Sequence, residues 1–144
     1  MNPEQVEAYN GIGVAYAMLG KYDAGISAQR QALQLRPDMA EANAGLGLIY
    51  FLQGKADLSM QHYRQAISHK PTLLEPYLKI GVILLNQKRY AQAAQTYQSA
   101  LEIAPQEAQI YHNLGLCYAF QGKIDEALNA YRRAIQLRPD VAET

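Results

Sequence analysis

An all-α array of stacked helix pairs is the fold this sequence predicts, and three regularities predict it. Prolines recur at Pro3, Pro37, Pro71, Pro105 and Pro139, each 34 residues from the next. Glycines keep the same spacing at Gly13, Gly47, Gly81 and Gly115, each behind an aliphatic residue: Ile12, Leu46, Ile80 or Leu114. Within a period the apolar residues follow helical spacing, so that Tyr9, Ile12, Gly13, Tyr16 and Leu19 form one stripe, whereas strands would need a period of two. A fixed period of this length marks a stacked repeat, which offers a binding surface rather than a catalytic cleft.

The chain is expected to be a single domain, 1–144, of four units at 6–39, 40–73, 74–107 and 108–141. In the first helix of each unit, Tyr9, Asn43, Tyr77 or Tyr111 stands at the fourth place and Tyr16, Tyr50, Leu84 or Tyr118 three places after the glycine. Glu41 follows Asp38 and Glu75 follows Thr72 by three residues, so both openings read as capping boxes that satisfy free amide hydrogens. That reading outweighs an acidic rail made by Glu7, Glu41 and Glu75 at a groove edge; Pro76 falls in the first turn, where proline is tolerated.

Next comes a tight turn. Gly20, Gly54 and Gly122 suit the left-handed position that ends a helix, and Asp23, Asp57 and Asp125 suit the start of the next. The third turn, Gln87-Lys88-Arg89-Tyr90-Ala91, has neither glycine nor aspartate and is expected to be the least protected. A non-glycine residue in the left-handed region costs about 1–2 kcal/mol.

The second helices carry Ala32, Ala66, Ala100 and Ala134, with Tyr63, Tyr97 and Tyr131 three residues before the last three and Gln29 at that place in the first unit. Glycine and alanine let two helix backbones approach while a tyrosine ring fills the neighbouring hole.

The pattern Tyr111, Leu114, Gly115, Tyr118, Gly122, Ala127, Tyr131, Ala134, Pro139 closely resembles the tetratricopeptide repeat, and four such units cover Val6 to Pro139. The departures are Asn43, Leu84, Gln29 and Lys88, together with Gly25 and Ser59 where the family often has alanine. The resemblance implies a right-handed superhelical α-solenoid of antiparallel helix pairs. The first helices would line a concave groove that holds a peptide or helix of another protein, with no chemistry of its own.

On the side of the first helix away from the packed stripe lie places five, nine, twelve and thirteen. They hold Asn10, Val14, Ala17 and Met18; Ala44, Leu48, Phe51 and Leu52; Leu78, Val82, Leu85 and Asn86; and His112, Leu116, Ala119 and Phe120. The ninth place is aliphatic in every unit, which predicts an apolar groove for an apolar or amphipathic peptide segment. One subclass of the family clamps the carboxylate of chaperone tails with basic and amide residues. Here those places hold Asn10, Val14, Gly45, Glu75 and Lys79, of which only Asn10 and Lys79 are compatible, so that ligand is rejected.

Other functions find little support. Thirteen Lys plus Arg balance thirteen Asp plus Glu without blocks of one sign, so nucleic acid is not an expected partner. No apolar run approaches a membrane span and no secretory signal is visible, which predicts a cytoplasmic location without membrane insertion. One cysteine, Cys117, excludes an internal disulfide. His112 lies five residues from it, off its helix face, and His62 with His69 lacks a third ligand, so neither a metal nor a cofactor is expected and no enzyme activity.

The last residues, Asp140-Val141-Ala142-Glu143-Thr144, copy the opening of a unit, so that 142–144 reads as the start of a fifth repeat. Pro3 reads as the closing proline of a unit that is absent. Leu128, Tyr131 and Ile135 are expected to be exposed, which allows self-association through open ends. The leading function is a protein-protein interaction module; the alternatives are a self-stacking scaffold or a targeting segment of a larger enzyme.

Overall fold

A computed structural model describes residues 2–138, and among these it forms eight α-helices in the expected order. They are α1 (Pro3–Met18), α2 (Tyr22–Leu35), α3 (Ala40–Leu52), α4 (Ala56–His69), α5 (Leu74–Asn86), α6 (Tyr90–Ile103), α7 (Ala108–Phe120) and α8 (Ile124–Leu137). The readings placed on Pro139 and on residues 140–144 lie outside the described residues. By packing, the chain divides into two compact units, Met1–Pro76 and Tyr77–Thr144.

In the first unit α1 packs on α2 and α3 on α4, while α3 also lies against α1 and α2. Its interior holds Val6, Ala32 and Ala42, all fully buried, with Met39 beside them and Tyr9, Leu33 and Leu35 closing the edge. The aliphatic place before the glycine shows what a preceding helix pair does: Leu46 is 3% exposed, but Ile12, on the first helix, is 45% exposed. In the second unit α7 packs on α8 and on α6.

The glycine and tyrosine places interlock as the spacing predicts. A Cβ on Gly47 would stand 2.9 Å from the Tyr63 ring, one on Gly81 2.5 Å from Tyr97 and one on Gly115 2.7 Å from Tyr131. Gln29 takes the tyrosine's role in the first repeat, with its amide end where a Cβ of Gly13 or of Gly45 would be. Gly25 and Ser59 are small for a related reason. A Cβ on Gly25 would meet the Gly13 carbonyl oxygen at 3.1 Å, and the buried Ser59 hydroxyl donates to the Gly47 carbonyl at 2.7 Å.

The turns confirm one expectation and correct another. Gly20, Gly54 and Gly122 have φ of 76°, 76° and 77°, and Lys88 takes the same left-handed conformation at 61°. The hydrogen bonds are equivalent: Gly20 N–H donates to Ala17 O and Lys21 N–H to Tyr16 O, as Lys88 N–H does to Leu85 O and Arg89 N–H to Leu84 O. The aspartates, however, do not cap. The N-cap residues are Lys21, Lys55, Arg89 and Lys123, none with a side-chain cap bond, and Asp23, Asp57 and Asp125 sit inside the first helical turn. There they favour the positive end of the helix dipole, a contribution of about 0.3–1 kcal/mol. The third turn is therefore disfavoured mainly by Lys88. Lys88→Gly is expected to raise stability by about 0.5–1 kcal/mol, the left-handed penalty less glycine's greater unfolded-state freedom. A thermal midpoint that stays level or falls would contradict it.

Pro3 is the first residue of α1, capped by Asn2, whose side-chain oxygen accepts from Glu4 N–H at 3.0 Å. Proline suits this place because the amide hydrogen it lacks would have no helical partner. The expected Asp38–Glu41 capping box is absent. Met39 is the N-cap of α3 and no side chain caps it, because the chain turns into the helix one residue later than the box requires. Likewise α5 opens at Leu74, which leaves Thr72 two residues outside it. The fully buried Pro76 lies in the first turn of α5, as expected.

Candidate interaction site

Places five and nine are one helical turn apart, so their side chains stack on one face. In the first unit this puts Asn10 above Val14 on α1 and Ala44 above Leu48 on α3. These four, with Glu41, Gly45, Leu73 and Glu75, line a cavity of about 170 Å³. Its wall is apolar and its polar groups are mostly acceptors. Gln29 Nε2 donates to the Asn10 carbonyl at 3.2 Å, while the side-chain oxygens of Asn10 and Gln29 are buried without a hydrogen-bond partner. The Tyr63 hydroxyl reaches a Glu75 carboxylate oxygen at 3.5 Å. Burial and then the Glu75 charge hold that hydroxyl far above the ordinary tyrosine range, so it stays a donor.

The remaining members of the row differ in exposure. Met18 and Phe120 are 74% and 61% exposed, Val14 and Leu52 36% and 43%, and Leu48 and Phe51 are half-buried. Ala44 is buried, so it can contribute only as cavity wall. In the second unit Leu78, Val82, Leu85 and Leu116 are half-buried, and Asn86 is exposed at the end of α5. The Phe120 ring stacks on Tyr90 with centroids 4.8 Å apart and planes at 12°. His112 meets the Tyr131 ring edge-on at 5.6 Å and lines a different cavity, about 530 Å³, with Ala108, Ala134 and Ile135.

Glu41, Gly45, Leu73 and Glu75 belong to the first-unit cavity but were not among the groove residues expected from the sequence. The recurrence of glutamate at the second place was the available signal, masked by the capping reading. Four of the places compared with the chaperone-tail clamp, Asn10, Val14, Gly45 and Glu75, do converge here, and Glu75 would repel a carboxylate.

Two other residues weighed for chemistry, Cys117 and His62, are packed into the fold. Cys117 is fully buried, and burial pushes its thiol up to about 11. His62 stacks on Tyr50 at 5.4 Å, its Nδ1 is 3.3 Å from Asn43 Oδ1, and burial with the Arg30 charge lowers its pKa. Among the described residues no three His, Cys, Asp or Glu side chains gather to hold a metal, and no helix is long and apolar enough to cross a membrane.

Comparison with known proteins agrees with this architecture. No curated protein sequence matches the chain. A crystal structure of MamA superposes with a TM-score of 0.86 at 23% identity, covering 99% of this chain and 84% of that one. PilF of Pseudomonas aeruginosa superposes with a TM-score of 0.84 at 25% identity, covering 94% of this chain and 62% of its own. Two tetratricopeptide repeat models match, one over residues 72–140 and the other over 1–40 and 19–72. With matches along nearly its whole length and four interlocked glycine places, the chain belongs to the tetratricopeptide repeat family.

Proposed function

We propose that the chain is a protein-protein interaction module that holds an apolar or amphipathic segment of a partner, extended or helical, against the row on its first helices. Tetratricopeptide folds are scaffolds for protein interaction and are generally non-enzymatic. The observation that carries the finer reading is the ninth place. Val14, Leu48, Val82 and Leu116 all keep exposed apolar surface, while the neighbouring aliphatic places Leu46, Ile80 and Leu114 are 3–4% exposed. Aliphatic side chains left accessible in every repeat are what a ligand groove requires.

Peptides selected from a displayed random library against the whole chain provide the probe. Leu48→Glu and Val82→Glu are each expected to weaken the selected peptides about tenfold or more, as loss of a buried anchor does, with the helical circular dichroism unchanged. Binding that survives both changes with the fold intact would place the interface elsewhere.

A second reading, self-association through the last helix pair, has its own observation. Tyr97 and Ala100 on α6 are fully buried, whereas Tyr131 and Ala134 at the same places on α8 are half-buried, and Leu128 and Ile135 are 43% and 52% exposed. Light scattering that shows concentration-dependent, salt-insensitive oligomers would favour it; a strict monomer at high concentration would remove it.

A further inference from the structure

We infer that the face formed by α7 and α8 takes helix α1 of a second copy, so that chains join head to tail; this rests on the self-association reading above and names its partner. The model for the joint is one the chain already makes with itself. In the first unit α3 lies across α1 and α2. It seats there Ala42, Gly45, Leu46 and Ile49, the third, sixth, seventh and tenth places of its repeat, all buried. Ala42 packs with Val6 and Ala32, and a Cβ on Gly45 would overlap the Gln29 amide.

Both halves of that joint recur on faces open to solvent. On α1 the same places hold Ala8, Gly11, Ile12 and Ala15, all exposed. On α7 and α8 the places of Val6, Gln29, Ala32 and Leu33 hold Ala108, Tyr131, Ala134 and Ile135, which line the cavity of about 530 Å³. Seated as α3 is in the first unit, α1 of a second copy would lay Ala8 against Ala108 and Ala134, and Gly11 against Tyr131.

Gly11 is the residue that a close partner explains. Glycine inside a helix costs stability relative to alanine, yet nothing lies within 4 Å of a Cβ built on Gly11. Its counterpart Gly45 is small because the preceding helix pair comes close. Sizes match at the far end of the joint as well. A Cβ on Gly25 would stand 3.0 Å from Ile49 Cδ1; the same two places would bring together Ala127 and Ala15, larger on one side and smaller on the other. Charge agrees. Helix α1 carries Glu4 and Glu7 and no lysine or arginine, while the cavity lining carries Arg138 and no carboxylate among the described residues. Exposed charges of this kind orient partners more than they bind them. The joint is heterologous: each copy offers a different face to the next, so assembly runs in one direction. A symmetric dimer through α8 would use one face twice and leave α1 open.

The test uses the whole chain and two variants whose changes fall on exposed residues. Gly11→Gln/Ile12→Glu blocks the α1 face and Ile135→Glu the α8 face, and melting curves check that each folds. Light scattering should give the parent a mass that climbs with concentration and each variant the mass of one chain. An equimolar mixture of the two variants should give a dimer and nothing larger, because each keeps one intact face. Oligomers that persist in Gly11→Gln/Ile12→Glu but not in Ile135→Glu overturn α1 as the occupant and leave self-association through the last helix pair standing. A mixture that stays monomeric although the parent assembles overturns the head-to-tail joint in the same way. A parent that stays monomeric at every concentration overturns the self-association reading, and the joint with it.

Discussion

Replacing Tyr97 by alanine is expected to lower the unfolding free energy by about 3–5 kcal/mol, the range for deleting a buried aromatic ring. Tyr97 is fully buried, and its ring lies where a Cβ of Gly81 would be. Helix α6 cannot close the gap by moving toward α5, because Ala93 and Ala100 on the same face already sit fully buried. Domains of this kind are stable by only about 5–15 kcal/mol, so the variant should melt far below the parent. Urea denaturation with an unchanged slope measures the loss; a drop under about 1 kcal/mol would mean that the ring does not hold the second unit together.

Gly81→Val is expected to cost about 3 kcal/mol, for the opposite reason. The new Cβ would be 2.5 Å from Tyr97 Cζ and under 3 Å from both neighbouring ring carbons, and a buried ring cannot swing away. Overpacking of this kind costs about 1–3 kcal/mol, and valine recovers little of the helix propensity that alanine would. Gly11→Ala is the control: nothing lies within 4 Å of its added carbon, so it should stabilise by up to about 1 kcal/mol. Because ring and hole are one contact, the Gly81→Val/Tyr97→Ala double variant should lose less than the two single losses added together. Simple additivity would show that the two residues do not interlock.

Much of this was legible in the sequence because it repeats. Gly47, Gly81 and Gly115 recur with Tyr63, Tyr97 and Tyr131, and a pattern stated several times over exposes its packing partners without coordinates. The left-handed Lys88 could likewise be read from its place in the period. What escaped were features decided by one or two residues of chain direction. Asp23 and Asp38 are good capping residues by type, but the helices beside them begin at Tyr22 and Ala40, which puts the first inside the helix and the second too far before it. Gln29 was visible as a departure, yet only the fold shows its amide wedged between Gly13 and Gly45 with an oxygen left unpaired. The acidic cavity was hidden because its residues come from three helices and no single period brings them together.

The apolar row is tested most directly by amide chemical shifts of the labelled chain as a library-selected peptide is added. The largest changes are expected along the first helices of the repeats, at and around Val14, Leu48, Val82 and Leu116, with the second helices little affected. Changes centred on α2, α4 and α6, with the ninth-place residues silent, would contradict the groove as the interface.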